Sequence, residues 1–384
     1  MSFRNVVFWL HLIAGIAAGL IIAVMSLTGV LLAFQPQVLD AKRQPLRELA
    51  IPEGAQRLPL EELVARAEAG RNAKATGVSV YPEPTSAVAV RFNRDLQYVH
   101  PTSGELLEDP GAGAQRFFTT VTGYHRWLTT SEKRDVGKAI TGASNALFVF
   151  LGVTGIYLWL PRRWAWKAVR AVLFFRRGLR GKALEFNLHH VIGIWGVVAI
   201  LVVSGSALVI SYPALGQLLY KATGEKAPEG RGYASLPKIA VEPTPGAEKA
   251  PFEALVAKAR TELPQADEVT VNFGKPNEAV QVNVRLRELN KPAAFANLTL
   301  DPYRAEVLHV ARFEEQAVAT RIRGWLRFLH TGEALGLVGQ IVAAVASAGG
   351  VVLVYTGIAL SVRRLIAYRR RKQHLPKHQP AKAA

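Results

Sequence analysis

The sequence predicts an α-helical membrane bundle of four transmembrane helices, carrying two extracytoplasmic α+β domains in an order that repeats. Three observations lead there: four long uncharged runs, basic residues gathered on one side of them, and a matched pair of strand-rich segments between them. Of the 384 residues 50% are hydrophobic and only 20% charged, and the mean hydropathy is positive. Such an excess has to be concentrated in segments of about 20 apolar residues, the length that crosses a hydrocarbon core.

The spans are 5–34, 139–160, 188–212 (the uncharged run opens at Phe186) and 334–362. The first is too long for the ~7–15-residue apolar core of a signal peptide, and it reads as an uncleaved anchor. Lys and Arg number 47 against 29 Asp and Glu, a net charge of +18. That balance alone would suit nucleic acid, but its placement does not. The loop "PRRWAWKAVRAVLFFRRGLRGK" (161–182) and the tail "RRLIAYRRRKQHLPKHQPAKAA" (363–384) are strongly basic and contain no acid, and only Glu185 opposes them. The two long connections are close to neutral. The positive-inside rule therefore places both termini and the basic loop 161–187 in the cytoplasm, with no nucleic-acid partner.

Residues 35–138 and 213–333 then lie on the outer side. Each begins with a Pro-rich linker and continues as one helix followed by alternating strands. In the first these are "LEELVARAEAG", then "GVSVYPEP", "SAVAVRFN" and "LQYVHPTSGELL". In the second they are "FEALVAKARTEL", then "EVTVNF", "EAVQVNVR" and "AFANLTLDPYRAEVLHV". Each ends in an amphipathic stretch before the next span, "AQRFFTTVTGYHRWL" and "AVATRIRGWLRFLHT". Every span carries a Thr-Gly or Ser-Gly pair: Thr28-Gly29, Thr154-Gly155, Ser204-Gly205 and Thr356-Gly357. The pattern helix–domain–helix occurs twice, which predicts an internal duplication about a pseudo-two-fold axis along the membrane normal.

There is no cysteine, which excludes disulfides, iron–sulfur clusters, thiolate metal sites and c-type haem attachment. Nine histidines remain. His374 and His378 fall in the basic tail, and His100 and His309 in the strand segments, at surface or turn positions. The other five sit at span boundaries. His11 and His189, with its neighbour His190, open spans one and three; His125 and His330 lie on the amphipathic stretches before spans two and four. A single histidine at a span end is usually an interfacial residue, but these match across the repeat. A two-fold axis would bring His11 to His189 and His125 to His330, one pair near each leaflet. Two imidazoles converging on a bundle axis suit the axial positions of a haem iron. His11, Gly15 and Gly19 share a helix face, and His189, Gly193 and Gly196 nearly do, which leaves room for a flat macrocycle or for close helix packing. His190 points about 100° from His189 and is the alternative ligand or a propionate partner. Met25 lies about 21 Å along the helix from His11, too far to share its iron. Arg126 and Arg327, beside Trp127 and Trp325, are possible propionate partners, or boundary anchors.

With those residues in place, the chain resembles the PepSY-associated transmembrane family. "WLHLIAGIAAGLIIAVMSLTGVLLAF", "NLHHVIGIWGVVAILVVSGSALVI" and "FLHTGEALGLVGQIVAAVASAGGVVLVYTGIAL" are similar to its His-bearing helices, and the outer segments to PepSY domains. Within that family it looks most like inner-membrane ferric-siderophore reductases of the ferrioxamine-reducing type. The resemblance implies two b-type haems and reduction of imported ferric siderophore in the periplasm. Some relatives carry a flavin and nicotinamide module; no GxGxxG occurs here, so the donor is expected to be a separate cytoplasmic or membrane component. At His190 the chain departs from the usual basic Arg.

The expected activity is transmembrane electron transfer, from an inner haem on His11 and His189 to an outer haem on His125 and His330, and then to a ferric chelate docked on the outer domains. Tyr81, Tyr98 and Tyr303 are candidate docking aromatics. The alternative is a non-redox anchored protein that binds peptides or regulates a periplasmic protease, with structural histidines. A metal transporter would want carboxylates within the spans, and they have none.

Overall fold

The computed structural model describes residues 2–132, 134–161, 164–227, 239–241, 248–274, 277–287 and 292–373. His374 and His378 lie outside the described residues. The first half holds helices α1 (Phe3–Leu32), α2 (Gln35–Arg43), α3 (Leu60–Arg71), α4 (Ala112–Trp127) and α5 (Asp135–Trp159), with strands β1 (Gly77–Val80), β2 (Val88–Phe92), β3 (Asp95–Val99) and β4 (Leu106–Leu107). The second holds α6 (Trp166–Leu173), α7 (Gly181–Ser211), α8 (Pro213–Ala222), α9 (Phe252–Glu262), α10 (Val318–Thr331) and α11 (Gly336–Gln373), with β5 (Ala266–Asn272), β6 (Val280–Leu286), β7 (Phe295–Leu300) and β8 (Val307–Ala311).

The four uncharged runs fall on α1, α5, α7 and α11, each long and apolar enough to cross a membrane. At 1.5 Å per residue the 30-residue α1 is about 45 Å long, longer than the roughly 30 Å core. α1 packs on α5 and α11, and α7 packs on the same two, so α1 and α7 stand diagonally across the bundle. Outward-facing Ile13, Ile16, Leu20, Trp195, Val198, Val338 and Val345 are exposed, an apolar belt suited to lipid. Between helices, polar groups are paired: Asn145 Nδ2 donates to Ser204 O at 2.9 Å and Gln340 Nε2 to Ala33 O at 2.8 Å. These bonds fix helix register where solvent cannot substitute for a lost partner.

At the basic end Arg363 of α11 forms a two-pronged ion pair with Glu185 of α7, both contacts 2.8 Å. The basic loop contains α6, a short helix laid against α7. Carbonyls at its C-terminus have no partner of their own, and α7 supplies them: Asn187 Nδ2 donates to Ala171 O and Phe174 O, and Trp195 Nε1 to Leu173 O at 2.9 Å. Without those donors a helix end at the bilayer edge would carry unpaired acceptors.

At the other end the two strand segments share one antiparallel sheet, in the order β4-β3-β2-β1-β5-β6-β7-β8. The expectation of two separate small domains changes here, because β1 pairs directly with β5, with Val78 opposite Val271 and Ser79 opposite Thr270. The approach is close: a Cβ at Gly77 would meet Val271 O at 2.7 Å, and Ser79 and Thr270 share a 2.7 Å hydroxyl bond. The segments 96–107 and 294–310 each break into a hairpin. Gly104 supplies the left-handed residue of the first turn (φ +72°), a conformation that costs glycine little.

α3 and α9 cover one sheet face, burying Leu63, Ala67, Leu255 and Ala259 on Val78, Val90, Val271 and Leu298. Each helix caps the other. Glu253 of α9 accepts the N–H of Leu60 at 2.5 Å, and Glu61 of α3 accepts the N–H of Phe252 at 2.6 Å. A carboxylate at a helix N-terminus satisfies a free donor and opposes the positive end of the dipole. The opposite sheet face is more polar; there Tyr98 packs with Leu46, Ala87 and Ala89.

Candidate functional site

α4 and α10 carry two of the matched histidines onto the sheet end of the bundle. α4 rests on α1 and α5, and α10 on α7. The end of α4 is stitched down: Thr141 donates to Arg126 O at 2.9 Å, and Gly137 comes so close that a side chain there would collide with Trp127 O. α10 begins on a cap from Glu225, whose carboxylate accepts the N–H of Val318 at 2.6 Å and of Ala319 at 2.8 Å. Those bonds, Ala319's foremost, hold the Glu225 carboxyl below its usual range. α10 ends on Gly332 in the left-handed conformation (φ +78°), tight against Gly339 O. Both ends of α10 and the C-terminal end of α4 are thus fixed, and with them the direction of His330 and His125.

The rings of His125 and His330 face each other with centroids 6.1 Å apart and planes inclined at 49°. His11 and His189 lie on the diagonal helices α1 and α7 at the basic end. His11 and Thr28, which marks the level of His125, are 17 residues apart on α1, about 25 Å along the axis. On α7 the corresponding span from His189 to Val203, which marks His330, is 14 residues, about 21 Å. The four histidines therefore form two separate levels.

Every one of the four has its Nδ1 engaged. His11 Nδ1 lies 2.8 Å from Thr154 Oγ1, His125 Nδ1 2.9 Å from Thr28 Oγ1, and His189 Nδ1 2.9 Å from Thr356 Oγ1. His330 Nδ1 lies 2.9 Å from the carbonyl of Val203. These partners were not singled out from the sequence as histidine partners. Their signal was there, since all three threonines belong to the Thr-Gly pairs that mark the repeat. The fourth pair departs from the pattern: Ser204 donates to Ile200 O at 2.6 Å, and its neighbour's carbonyl takes the histidine instead.

His190 is placed differently. Its Nδ1 bonds Phe186 O, one turn back on its own helix, at 2.9 Å, and its ring stacks on Phe186 at 3.9 Å. Among the described residues it has no hydrogen bond to another span. Arg126 is exposed and stands over the Trp127 ring at 4.7 Å, and Arg327 stands 5.7 Å from the Phe328 ring centroid. Neither forms an ion pair among the described residues. Of the candidate docking aromatics, Tyr98 is a core residue, 3% exposed, and burial pushes its hydroxyl up to about 12. Tyr81 is half-buried with Arg47 5.1 Å from its ring, and Tyr303 sits in the β7–β8 turn on Asp301. His100 accepts turn N–H groups from Thr102 and Ser103, and His309 stands opposite Thr299 at the β8 edge.

Two open clefts lie on the sheet unit rather than at the histidines. The larger, about 620 Å³, runs between the β3–β4 edge and the start of α4, with Arg71 and Arg116 on its walls. Among the described residues no group of three or more His, Asp or Glu converges as a metal site would require. The histidines therefore offer pairs of imidazole nitrogens with no third protein donor. That set suits a metal whose remaining ligands arrive with it. It does not suit a bare ion, which takes four or more from its surroundings.

No match to this chain was found among curated proteins. The family described as the PepSY-associated TM region matches residues 8–364. That stretch takes in most of α1 and α11, all of α5 and α7, the whole sheet, and His11, His125, His189 and His330. A membrane protein with several apolar helices and a strand-rich unit between them, the chain belongs to the PepSY-associated TM region family.

Proposed function

We propose that this chain is a di-haem b protein of the bacterial inner membrane that reduces ferric siderophore in the periplasm, releasing iron as Fe(II), with electrons from a separate cytoplasmic or membrane donor. The observation that carries the proposal is the facing His125–His330 pair, together with the committed Nδ1 atoms of all four histidines. The two ring centroids stand 6.1 Å apart, near enough for both imidazoles to serve one metal ion if it were bound between them. With Nδ1 held elsewhere, Nε2 is the nitrogen left to bind.

In this reading His125 and His330 hold the outer haem, and His11 and His189 the inner one. His189 is chosen over His190 because its ring is tied across the bundle to α11, whereas His190 is tied to its own helix. Arg126 and Arg327 lie beside the outer pair, with guanidinium groups available for propionates. When bound, the two haems supply one-electron transfer across the membrane. The chain's own task is to keep two ligand pairs about 21–25 Å apart along one axis and to leave the sheet end open to the chelate. Reduction favours release because hard oxygen donors hold Fe(II) less firmly than Fe(III). The symmetric strand order about β1–β5 and the reciprocal α3–α9 caps support an origin by duplication. The basic loop and tail support cytoplasmic termini.

The test is an optical spectrum of the detergent-purified protein, oxidised and dithionite-reduced, with haem quantified per chain. Addition of a ferric hydroxamate chelate to the reduced protein follows. Two low-spin b-type haems, reoxidised by the chelate as Fe(II) appears, are expected. A folded, haem-free protein from haem-sufficient cells would overturn the reading, and haem that no ferric chelate reoxidises would overturn the substrate.

A further inference from the structure

Three of the four histidine contacts share a detail that hydrogen-bond accounting turns into an assignment. A threonine hydroxyl has one proton. Thr28 donates its proton to Val24 O at 2.6 Å, Thr154 to Phe150 O at 2.7 Å, and Thr356 to Val352 O at 2.8 Å, each one turn back on its own helix. Toward histidine each oxygen can therefore only accept. The proton in the Nδ1···Oγ1 contact belongs to the ring. Each glycine that follows these threonines leaves bare backbone beside the ring: a Cβ at Gly29, Gly155 or Gly357 would stand 3.6, 3.6 or 3.4 Å from the Cε1 of His125, His11 or His189. The Thr-Gly pair is thus a two-part seat, an acceptor for Nδ1–H and a side-chain-free step against which the ring edge rests.

We propose that Thr28, Thr154 and Thr356 are positioning residues that fix His125, His11 and His189 as the Nδ1–H tautomer, so that Nε2 is presented as the iron ligand and the histidine's basicity is set by a hydroxyl. The inference rests on the haem reading for its consequence, though the tautomer itself does not. An imidazole between apolar helices has no water to satisfy an unused nitrogen, and the hydroxyl removes the choice between ring orientations. A partner on the far nitrogen also makes an imidazole a better donor to its metal. That favours Fe(III) over Fe(II) and lowers the haem potential. The seats are not equivalent: the inner pair has two hydroxyl acceptors, whereas the outer pair has one hydroxyl and the Val203 peptide carbonyl.

The test uses the full-length protein with Thr154→Val, which keeps the side-chain shape and loses the acceptor, and Thr154→Ser, which keeps it. Thr356→Val is made in parallel so that the answer does not depend on one variant folding. Outer-shell partners of this kind are worth about 10- to 100-fold in metal-site affinity. Thr154→Val is expected to weaken haem retention at one site by that factor, or to raise that site's midpoint potential; a tenfold preferential loss of the ferric form reads as about 59 mV for one electron. The second haem keeps its potential, and Thr154→Ser restores the first. A ¹⁵N imidazole spectrum of haem-free protein reports the tautomer directly: a single Nδ1–H form for His11 in the parent and a mixture in Thr154→Val. Unchanged haem content, potential and tautomer in both valine variants would overturn the proposal. A parent protein without haem would overturn the haem reading alone, and the nitrogen spectrum would still decide the tautomer.

Discussion

Replacing His330 by alanine separates the two histidine levels experimentally. The change removes one imidazole of the 6.1 Å pair and its bond to Val203 O, leaving His125 with its Thr28 partner. About 21–25 Å of helix separates this level from His11 and His189, well beyond the 7–10 Å within which substitutions usually couple. If the protein holds two haems as proposed, haem content should therefore fall from two per chain to one, and the remaining haem should keep its spectrum and potential. Val203 lies inside α7, so its carbonyl keeps the i+4 helix bond and no buried acceptor is stranded. The lost neutral hydrogen bond should cost about 1 kcal/mol, too little to unfold the bundle. The assay is pyridine haemochrome quantification with a redox titration, run beside His11→Ala, which should empty the other level. Loss of both haems, or of neither, would refute the pairing.

Gly332→Ala places a Cβ on a left-handed residue (φ +78°) and 2.5 Å from Gly339 O. It should cost about 1–3 kcal/mol in thermal unfolding and, on the proposed reading, weaken haem binding at His330 two residues away, with Gly113→Ala, in open space, as the silent control. Glu61→Gln and Glu253→Gln should each cost about 1 kcal/mol by weakening one helix cap. Hydrogen exchange on α3 and α9 would show both helices loosened by either change, and protection lost in only the mutated helix would contradict the reciprocal caps. The Glu225 carboxyl is lowered from 4.5, so its contribution is present above that value and is lost as pH falls through the depressed one. Glu225→Gln should therefore weaken α10 at neutral pH and flatten the acid limb of unfolding below about 4.5; an acid limb identical to the parent's would show that the cap carries no such dependence.

The positions of the spans, the strand-rich segments and the histidines were legible because each depends on local properties. An uncharged run of 20 or more residues is a helix in lipid for want of any other way to satisfy its backbone, and the runs fall on α1, α5, α7 and α11. Period-two alternation likewise located β1 to β8, although the turns splitting 96–107 and 294–310 lay within stretches that read as continuous. α2, α6 and α8 were not foreseen. They are short and lie within linkers or the basic loop, and α6 takes its end partners from Asn187 and Trp195, a turn or more inside another helix.

What the sequence determined by itself was the four apolar spans and the strand-rich segments between them. Which atom each histidine offers was decided only in three dimensions. The bond from His11 to Thr154 joins residues 143 apart, and that from His189 to Thr356 residues 167 apart. No local pattern links them, because helix packing alone brings a hydroxyl on one span level with a ring on another. The same holds for His190, adjacent to His189 in the chain yet turned about 100° round the helix onto Phe186. It holds too for the single sheet: alternation specifies that β1 and β5 are strands, but their pairing depends on Gly77 admitting Val271 O and on two helices capping each other across the join.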